Sequence, residues 1–337
     1  MNPFEDAPAV SHFLPWQGAA WTTLYDTFVA DKLPHALLLC GPEGTGKSVF
    51  ALALARLILC QSPVDGLACG QCKACELSRT GAHGDFRWVT PEDDSLQIKI
   101  DQVRAAIEFT TKTAMFGQRK VLVLAPAEAM NVNAANALLK CLEEPAPGTH
   151  LLLVSNRPQG LPATVRSRCQ QLWFPVPDES SSRRWLESRH GPGSVSDDLL
   201  GLAQMRPLTA DGLLREGTAS DVLARRAALG ALIRGQANVE QLRGALADLD
   251  ALALVNLLTD TVQDLLRCQS VQTLKSHAGQ QAFVLLDELQ RSRQSMQRGA
   301  TPNRDIFGDA SLQQYARVLG ALRPGDTMAQ TTGDVGL

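Results

Sequence analysis

Short runs rich in apolar residues alternate with longer segments of mixed polarity over the first half of the chain. The runs stand at positions 36–40, 86–89, 121–124 and 150–154. Their length and polarity are typical of buried strands in a parallel sheet. The segments between them space their apolar residues as helices do, at 16–32, 47–60, 101–115 and 132–144. Strands that alternate with helices predict an α/β fold built on a parallel sheet.

The pattern changes after residue 174, where Pro175 and Pro177 interrupt the chain. The remainder is rich in Leu, Ala, Arg and Gln at helical spacing and has hardly any β-branched runs, which predicts an all-α structure. Glycine and proline clusters near 191–193 and 217 divide it. We predict an α/β domain at 1–175 with an insertion at 60–76, a helical lid at 176–216, a C-terminal helical collar domain at 217–325 and a flexible tail at 326–337.

The composition is that of an ordinary globular protein, since 45% of the 337 residues are hydrophobic and 20% are charged. The net charge of −3 argues against a dominant basic surface, so any contact with DNA should be partial or shared with other chains. No uninterrupted apolar stretch reaches the roughly 18 residues that a membrane span requires. Residues 1–11 hold two acids, two prolines and no basic residue, unlike a secretory signal, and we expect a cytoplasmic protein.

A phosphate-binding pattern follows the first predicted strand. Residues 41–48 read GPEGTGKS and match G-x-x-x-x-G-K-[ST] in full, between a predicted strand and a predicted helix. The glycines of such a loop let its N–H groups point at phosphate oxygens, its lysine reaches the β- and γ-phosphates, and its serine holds Mg²⁺. We predict nucleotide binding, with ATP and Mg²⁺ as candidate ligands, at Gly41, Gly44, Thr45, Gly46, Lys47 and Ser48.

The acidic residues that should accompany this loop are missing. In nucleotide hydrolases an apolar strand leads to an Asp that holds Mg²⁺, and often to a Glu that activates water. Here the strand at 121–124 is followed by Ala125, Pro126 and Ala127. Glu128 comes one or two positions late, on a predicted turn, and remains an alternative source of the carboxylate. The pattern favours a site that binds nucleotide but hydrolyses it poorly or not at all.

Four of the eight cysteines form the metal-binding pattern C-x₈-C-x₂-C-x₂-C, at Cys60, Cys69, Cys72 and Cys75. Four thiolates make a closed tetrahedral Zn²⁺ site, which is structural because no position stays open for water. The ion would hold together an excursion too short and polar to have its own core. An iron–sulfur cluster, His83 in place of one cysteine, and a coincidence of buried cysteines remain alternatives. The remaining cysteines are predicted to be isolated core residues: Cys40, Cys141, Cys169 and Cys268.

Three further segments carry a family resemblance. Residues 136–145 read NALLKCLEEP, which resembles the N-A-L-L-K-x-L-E-E-P segment of the clamp-loader AAA+ subunits of bacterial DNA polymerase III. SNRP at 155–158 resembles the sensor-1 region of that family, and SRC at 167–169 resembles its S-R-C motif. With PHAL at 34–37 and the four-cysteine insertion, the resemblance covers residues 15–175 strongly. Over the helical remainder it rests on length and composition.

The resemblance implies an AAA+ P-loop domain followed by the helical lid and the collar. Two kinds of bacterial subunit share these motifs, the tau/gamma ATPase and delta-prime. The tau/gamma kind is expected to carry the acidic pair after the strand at 121–124, and an Arg in its sensor-2 helix where we place Leu208. Both departures favour the delta-prime kind. The complete phosphate loop points the other way, because some delta-prime proteins have lost it.

The resemblance also implies roles for single residues. Arg168, in the S-R-C motif, would be an arginine finger that reaches across a subunit boundary to the γ-phosphate held by a neighbour. Asn156 would sense a γ-phosphate or merely cap the strand end. Glu143 and Glu144 are adjacent carboxylates at a predicted helix end, and we assign them no chemistry.

The implied partners are the tau/gamma and delta subunits and, through them, the sliding clamp and primed DNA, in a hetero-oligomer without a membrane. The chain would help to load the clamp during replication, while hydrolysing ATP weakly or not at all. Two alternatives remain open. One is an active tau/gamma-type ATPase, and the other is a nucleotide kinase with a zinc-bearing lid.

Overall fold

The computed structural model describes residues 8–92, 95–297 and 300–322. The chain divides into two compact units between Gly217 and Thr218. The N-terminal unit contains a sheet with helices around it, and the helices of the C-terminal unit have a core of their own. The predicted flexible tail at 326–337 and the last residues of the predicted collar lie outside the described ranges.

The N-terminal unit alternates strands and helices. Its strands are β1 (Ala36–Cys40), β2 (Phe86–Val89), β3 (Lys120–Leu124), β4 (Thr149–Ser155) and β5 (Gln170–Trp173). Its helices are α1 (Gly18–Val29), α2 (Lys47–Leu59), α3 (Lys73–Arg79), α4 (Ile100–Thr111), α5 (Val132–Glu143), α6 (Ala163–Arg166), α7 (Glu179–His190), α8 (Asp197–Leu202) and α9 (Pro207–Arg215). Short 3-10 helices lie at Pro15–Gln17, Ala127–Ala129 and Pro158–Gly160.

The strands pair in parallel, in the order β2-β3-β4-β1-β5. Strand β1 lies between β4 and β5, so that Leu38 pairs with Leu153 on one side and with Gln171 on the other. Because all strands run the same way, their carboxyl ends share one edge of the sheet. The segments that follow β1, β3 and β4 therefore meet at that edge. The predicted α/β fold with a parallel sheet is confirmed.

Helices cover both faces of the sheet. Side chains alternate along a strand, so Leu37 and Leu39 of β1 pack with α1 and α2, whereas Leu38 and Cys40 pack with α4 and α5. Burial on both faces explains why β1 is an unbroken apolar run. Helix α2 joins the phosphate loop to the cysteine-rich insertion and is buried along nearly its whole length.

The sequence pattern does not predict β5. Gln170, Gln171 and Trp173 are exposed and Leu172 is half-buried, so the segment has no apolar run. It is an edge strand, held by backbone pairing with β1. Backbone hydrogen bonds leave no mark on the side-chain pattern, which is why the strand escapes prediction.

In the part of the C-terminal unit that the structure describes, helices are joined by short loops. Its core packs leucines around Tyr315, which is fully buried. Asn238, Asp250, Ser270 and Asn303 cap helix N-termini with their side chains. The helices are α10 (Ala219–Ile233), α11 (Val239–Ala245), α12 (Ala251–Arg267), α13 (Val271–Lys275), α14 (His277–Gln297) and α15 (Arg304–Gly320).

One cysteine prediction is wrong. Cys268 is predicted to lie in a core but is exposed, because it stands at the C-cap of α12, just past the last buried residue of that helix, Leu266. Cys40, Cys141 and Cys169 are buried as predicted. Within the described ranges, no helix has both the length and the apolar character needed to cross a bilayer.

Candidate functional site

The phosphate loop joins β1 to α2 at the carboxyl edge of the sheet. Gly44 and Gly46 have φ angles of +80° and +89°, which glycine adopts without strain. Gly46 is the N-cap of α2, and Lys47 and Ser48 are the first residues of that helix. Lys47 is buried at this position, whereas Ser48 is exposed. Free N–H groups at a helix N-terminus form an anion-binding arrangement.

Two neighbouring segments hold the loop. The Trp16 indole N–H donates to the Thr45 carbonyl oxygen at 3.0 Å, and the Gln17 side-chain amide donates to the Thr45 and Gly46 carbonyl oxygens at 3.2 and 3.0 Å. The backbone N–H of Leu208, in the first turn of α9, donates to the Gly44 carbonyl oxygen at 3.1 Å. The loop is therefore fixed by the segment before α1 and by the start of α9.

The Lys47 side chain is only 3% exposed, and its ammonium donates to the Pro42 carbonyl oxygen at 2.6 Å. Burial lowers the pKa of Lys47 to about 8, and the carboxylates of Glu128 and Glu43 oppose that shift. A buried ammonium is stabilised by any anion that comes close to it. The loop therefore has the electrostatics of a phosphate site.

No acid lies at the carboxyl end of β3. The chain passes through Ala125 and Pro126 into a 3-10 helix that carries Glu128. Glu128 Oε1 accepts a hydrogen bond from the backbone N–H of Asn156 at 3.0 Å, and its Oε2 is buried without a hydrogen-bond partner in the described structure. The turn thus places Glu128 near enough to Lys47 for its charge to affect the pKa of that lysine. Asn156 contributes to the site with its backbone N–H and not with its side chain.

Arg206 is a charged residue of this site that the sequence patterns do not single out. It is the N-cap residue of α9, and its charge adds to the effect of burial in lowering the pKa of Lys47. A methyl group on Gly44 would lie 3.0 Å from Arg206 Cβ, so the two backbones are close. In the sequence, Pro207 indicates the start of a helix. That signal could have pointed to Arg206, the residue directly before it. Leu208 contributes its backbone N–H rather than a side chain.

Arg168 lies in the turn between α6 and β5. Its side chain is 35% exposed, and its guanidinium donates to the Thr164 carbonyl oxygen at 2.9 Å and pairs with Glu143 Oε1 at 2.5 Å. Glu143 is the last residue of α5 and is itself 48% exposed. An ion pair as exposed as this one stabilises by less than about 1 kcal/mol. Glu143 is therefore a weakly held partner.

The four predicted metal ligands converge. The Sγ atoms of Cys60, Cys69, Cys72 and Cys75 all lie within 4.8 Å of one another, with 4.0 Å between Cys60 and Cys72 and 3.9 Å between Cys69 and Cys75. A tetrahedron with Zn–S bonds of about 2.3 Å places its sulfurs about 3.8 Å apart. The backbone N–H of Cys69 also donates to Cys60 Sγ at 3.2 Å. The cluster could hold a metal ion and is compatible with structural zinc.

His83 lies outside this group of four. Its Nδ1 accepts a hydrogen bond from the Asp85 N–H at 3.0 Å, and its ring packs against Phe116 with centroids 5.1 Å apart. The Asp85 carboxylate in turn accepts from the backbone N–H groups of Met115 and Phe116. In the described structure His83 therefore packs against Phe116 and the Asp85 backbone and is not one of the converging metal ligands.

The family follows from comparison with known proteins. The family model described as DNA polymerase III, delta subunit, matches residues 16–178. A DNA polymerase III subunit delta-prime from Pseudomonas aeruginosa is 36% identical over 324 residues, which cover 91% of this chain and 98% of the relative. The chain belongs to the delta-prime family of DNA polymerase III subunits. Membership sets aside the nucleotide kinase alternative.

Further relatives agree with this family. The delta-prime subunit of Escherichia coli is 36% identical over 172 residues, which cover 51% of this chain and 52% of that one. Among solved structures, a DNA polymerase III gamma subunit-related protein from Thermotoga maritima matches with a TM-score of 0.54 at 18% identity, over 89% of this chain and 99% of that one. At this identity the likeness shows the fold alone, an α/β fold of the AAA+ kind.

Proposed function

We propose that this chain is the clamp-loader member that supplies an arginine finger to a neighbouring ATPase subunit and hydrolyses little or no ATP itself. In this proposal a ring-like hetero-oligomer of tau/gamma, delta and this chain uses ATP binding to open the sliding clamp and place it on primed DNA. The chain contributes Arg168 to the adjacent nucleotide and helps to hold the assembly through its C-terminal helices.

The way in which Arg168 is held carries this proposal. The Thr164 carbonyl oxygen and Ser167 Oγ accept hydrogen bonds from one guanidinium nitrogen of Arg168, while another nitrogen pairs with the half-exposed Glu143. A γ-phosphate is a better partner than a solvated carboxylate, because it accepts two parallel charge-assisted hydrogen bonds from the guanidinium fork. In this proposal Arg168 exchanges Glu143 for the nucleotide that a neighbour brings.

Nucleotide binding to the chain's own loop is supported by the buried Lys47 ammonium and the helix N-terminus behind it. Hydrolysis commonly uses one acid to hold Mg²⁺ and often a second to activate water. Glu128 is the first carboxylate after β3, and one of its oxygens already accepts a hydrogen bond from the Asn156 N–H. One partly committed acid cannot fill both roles, so we infer that turnover is slow or absent.

The four cysteines are proposed to bind one structural zinc ion. The sulfur separations of 3.9 and 4.0 Å suit a single ion. In an iron–sulfur cluster the thiolates bind separate irons, so their sulfurs would lie farther apart. Metal analysis of the purified chain should find about one zinc per chain and no iron. Iron with a visible absorption band would contradict this assignment.

Reconstitution of the complex with Arg168→Ala tests the proposed function. We expect normal assembly, together with a loss of the neighbour's ATPase of about 10³-fold, because a finger of this kind stabilises the charge of the transition state. Arg104→Ala is the matched control, since Arg104 is an exposed arginine paired with Asp101 on α4. An unchanged rate in a correctly assembled Arg168→Ala complex would remove the finger assignment.

A second candidate, an active ATPase of the tau/gamma type, is favoured by the unpartnered Oε2 of Glu128 near Lys47. In that case the purified chain with clamp and DNA would turn over ATP at about 1 s⁻¹ or faster, as ordinary enzymes do. Glu128→Gln would abolish that turnover. Turnover far below this rate, unaffected by Glu128→Gln, would leave the first proposal in place.

A further inference from the structure

Residues 8–17, which we call the strap, run from the cysteine cluster to the phosphate loop. The strap precedes α1, and its contacts with the two sites lie at its opposite ends. Helix α2 also joins these sites, with the loop at its first residue and Cys60 directly after its last. The strap is therefore a second physical connection between the cysteine cluster and the loop.

Arg56 holds the first end of the strap. It lies on α2, is only 1% exposed, and donates to the carbonyl oxygens of Pro8 and Ala9 at 2.7 and 2.5 Å and to Ser11 Oγ at 2.6 Å. Burial lowers the pKa of Arg56 and the charge of Arg79 acts in the same direction, while negative charge on the sulfurs of Cys75 and Cys60 opposes the shift. Metal-bound thiolates carry negative charge, so an occupied cluster stabilises this buried cation.

The strap also lies directly on the insertion. Gly70, between the ligands Cys69 and Cys72, has a φ of +73°, and a methyl group there would lie 2.8 Å from Val10 Cγ2 and 3.1 Å from the Ala9 carbonyl oxygen. This contact is with the backbone that the metal would fix. A loss of order in residues 69–72 therefore removes the surface on which Val10 and Ala9 pack.

The other end of the strap contacts the loop. A methyl group on Gly46 would lie 2.2 Å from Leu14 Cδ1, so this side chain covers the loop backbone. The Leu14 N–H donates to Gln17 Oε1 at 2.8 Å, which turns the amide nitrogen of Gln17 toward the carbonyl oxygens of Thr45 and Gly46. The strap thus sets the orientation of the amide that holds the loop.

We propose that a metal ion in the four-cysteine cluster positions the phosphate loop through the strap, with Arg56 as the positioning residue between them. The inference rests on the proposed binding of nucleotide to this loop. Metal loss frees the insertion backbone, weakens the hold of Arg56 on residues 8–11 and loosens the hydrogen bonds of Gln17. A looser loop must be ordered when an anion binds, and that ordering reduces affinity.

The test uses the full chain, zinc-loaded and zinc-stripped, titrated with a non-hydrolysable ATP analogue and Mg²⁺. Zinc removal should weaken binding by about fivefold or more, the usual size of a coupling between sites. Arg56→Met should weaken binding by a similar factor and abolish the response to zinc, because the two changes remove one connection. Arg56→Lys, which keeps a donor, should restore part of the response. Lys73→Met, at an exposed lysine paired with Glu76 in the same insertion, should respond to zinc like the parent chain.

Hydrogen exchange at residues 44–48 gives a measurement that needs no nucleotide. Zinc removal should speed exchange there in the parent chain and leave it unchanged in Arg56→Met, where it is already fast. If Arg56→Met does not fold, Ser11→Ala removes one acceptor of Arg56 and should shift both measurements in the same direction by less. A parent chain that binds no analogue refutes nucleotide binding, while exchange still decides the role of the strap. Equal exchange with and without zinc, or full zinc sensitivity in Arg56→Met, overturns the proposal.

Discussion

The phosphate loop and Arg168 present their cations in opposite ways. Lys47 is 3% exposed and donates to a carbonyl oxygen of its own loop, whereas Arg168 is 35% exposed and pairs with a carboxylate on another helix. The first cation is held inside a closed arrangement, and the second can exchange its partner. The contrast supports the proposal in which the chain binds nucleotide with little turnover and Arg168 acts on the nucleotide of a neighbour.

Replacing the guanidinium of Arg168 by an ammonium sharpens this contrast most. Arg168→Lys keeps the charge but loses the planar fork, and we expect the assembled complex to lose about 10²-fold of its ATPase. The rate in reconstituted complex measures this. An Arg168→Lys complex with the parent rate would show that charge alone suffices there and would weaken the assignment of a finger.

The pH dependence of nucleotide binding tests the role of the buried Lys47 ammonium. Below the pKa of about 8, Lys47 is charged and attracts phosphate; above it, the free chain must take up a proton to bind. Affinity for the ATP analogue should therefore fall about tenfold between pH 7 and pH 9, as measured by titration calorimetry. Lys47→Met should bind weakly with a flat profile. A flat profile in the parent chain would contradict this role for Lys47.

Glu128→Gln should move the same profile. Burial lowers the pKa of Lys47 and Glu128 opposes that effect, so loss of the carboxylate shifts the midpoint of binding to lower pH. At pH 8 this should weaken analogue binding by about threefold. Glu43→Gln, at the other carboxylate that supports Lys47, provides a comparison in which no bond to Asn156 is lost. An upward shift of the midpoint would show that Glu128 does not face Lys47.

The smallest effect is expected at the exposed pair. Glu143→Gln removes the charge that faces Arg168, and the free energy of unfolding should change by less than about 1 kcal/mol. Denaturant titration measures this, with Asp101→Asn as a second exposed pair for reference. A loss of more than about 2 kcal/mol would mean that the pair is structural, which would argue against an exchangeable finger.

The strands that sequence could predict are those in which side chains carry the information. β1 and β2 have the bounds that their apolar runs predict, and β3 and β4 extend only by a residue at their ends. Strand β5 could not be found in this way, because three of its four residues are exposed and its backbone pairing with β1 leaves no pattern in the sequence. The prediction for Cys268 was wrong for a related reason. Its residue type suggested burial, but the sequence did not indicate that α12 ends directly before it.

The candidate sites show the same division. The residues of the phosphate loop and the four cysteines lie close together in the sequence, so their spacing is enough to predict both sites. The contact between Glu128 and the Asn156 backbone joins the ends of β3 and β4, and only the order of the strands places them together. Arg56 reads as one polar residue in an apolar helix, and nothing in its surroundings reveals that it holds residues 8–11.

The glycines of the loop have a consequence for evolutionary interpretation. A methyl group on Gly41 would lie 2.2 Å from the Phe174 carbonyl oxygen, and one on Gly44 would lie 2.3 Å from Thr209 Oγ1. These collisions are with the chain itself, so alanine is rejected whether or not a ligand is present. Such a signature can outlive the activity that first selected it. If the loop no longer had to bind Mg²⁺, substitutions would be expected first at Ser48, whose side chain is exposed.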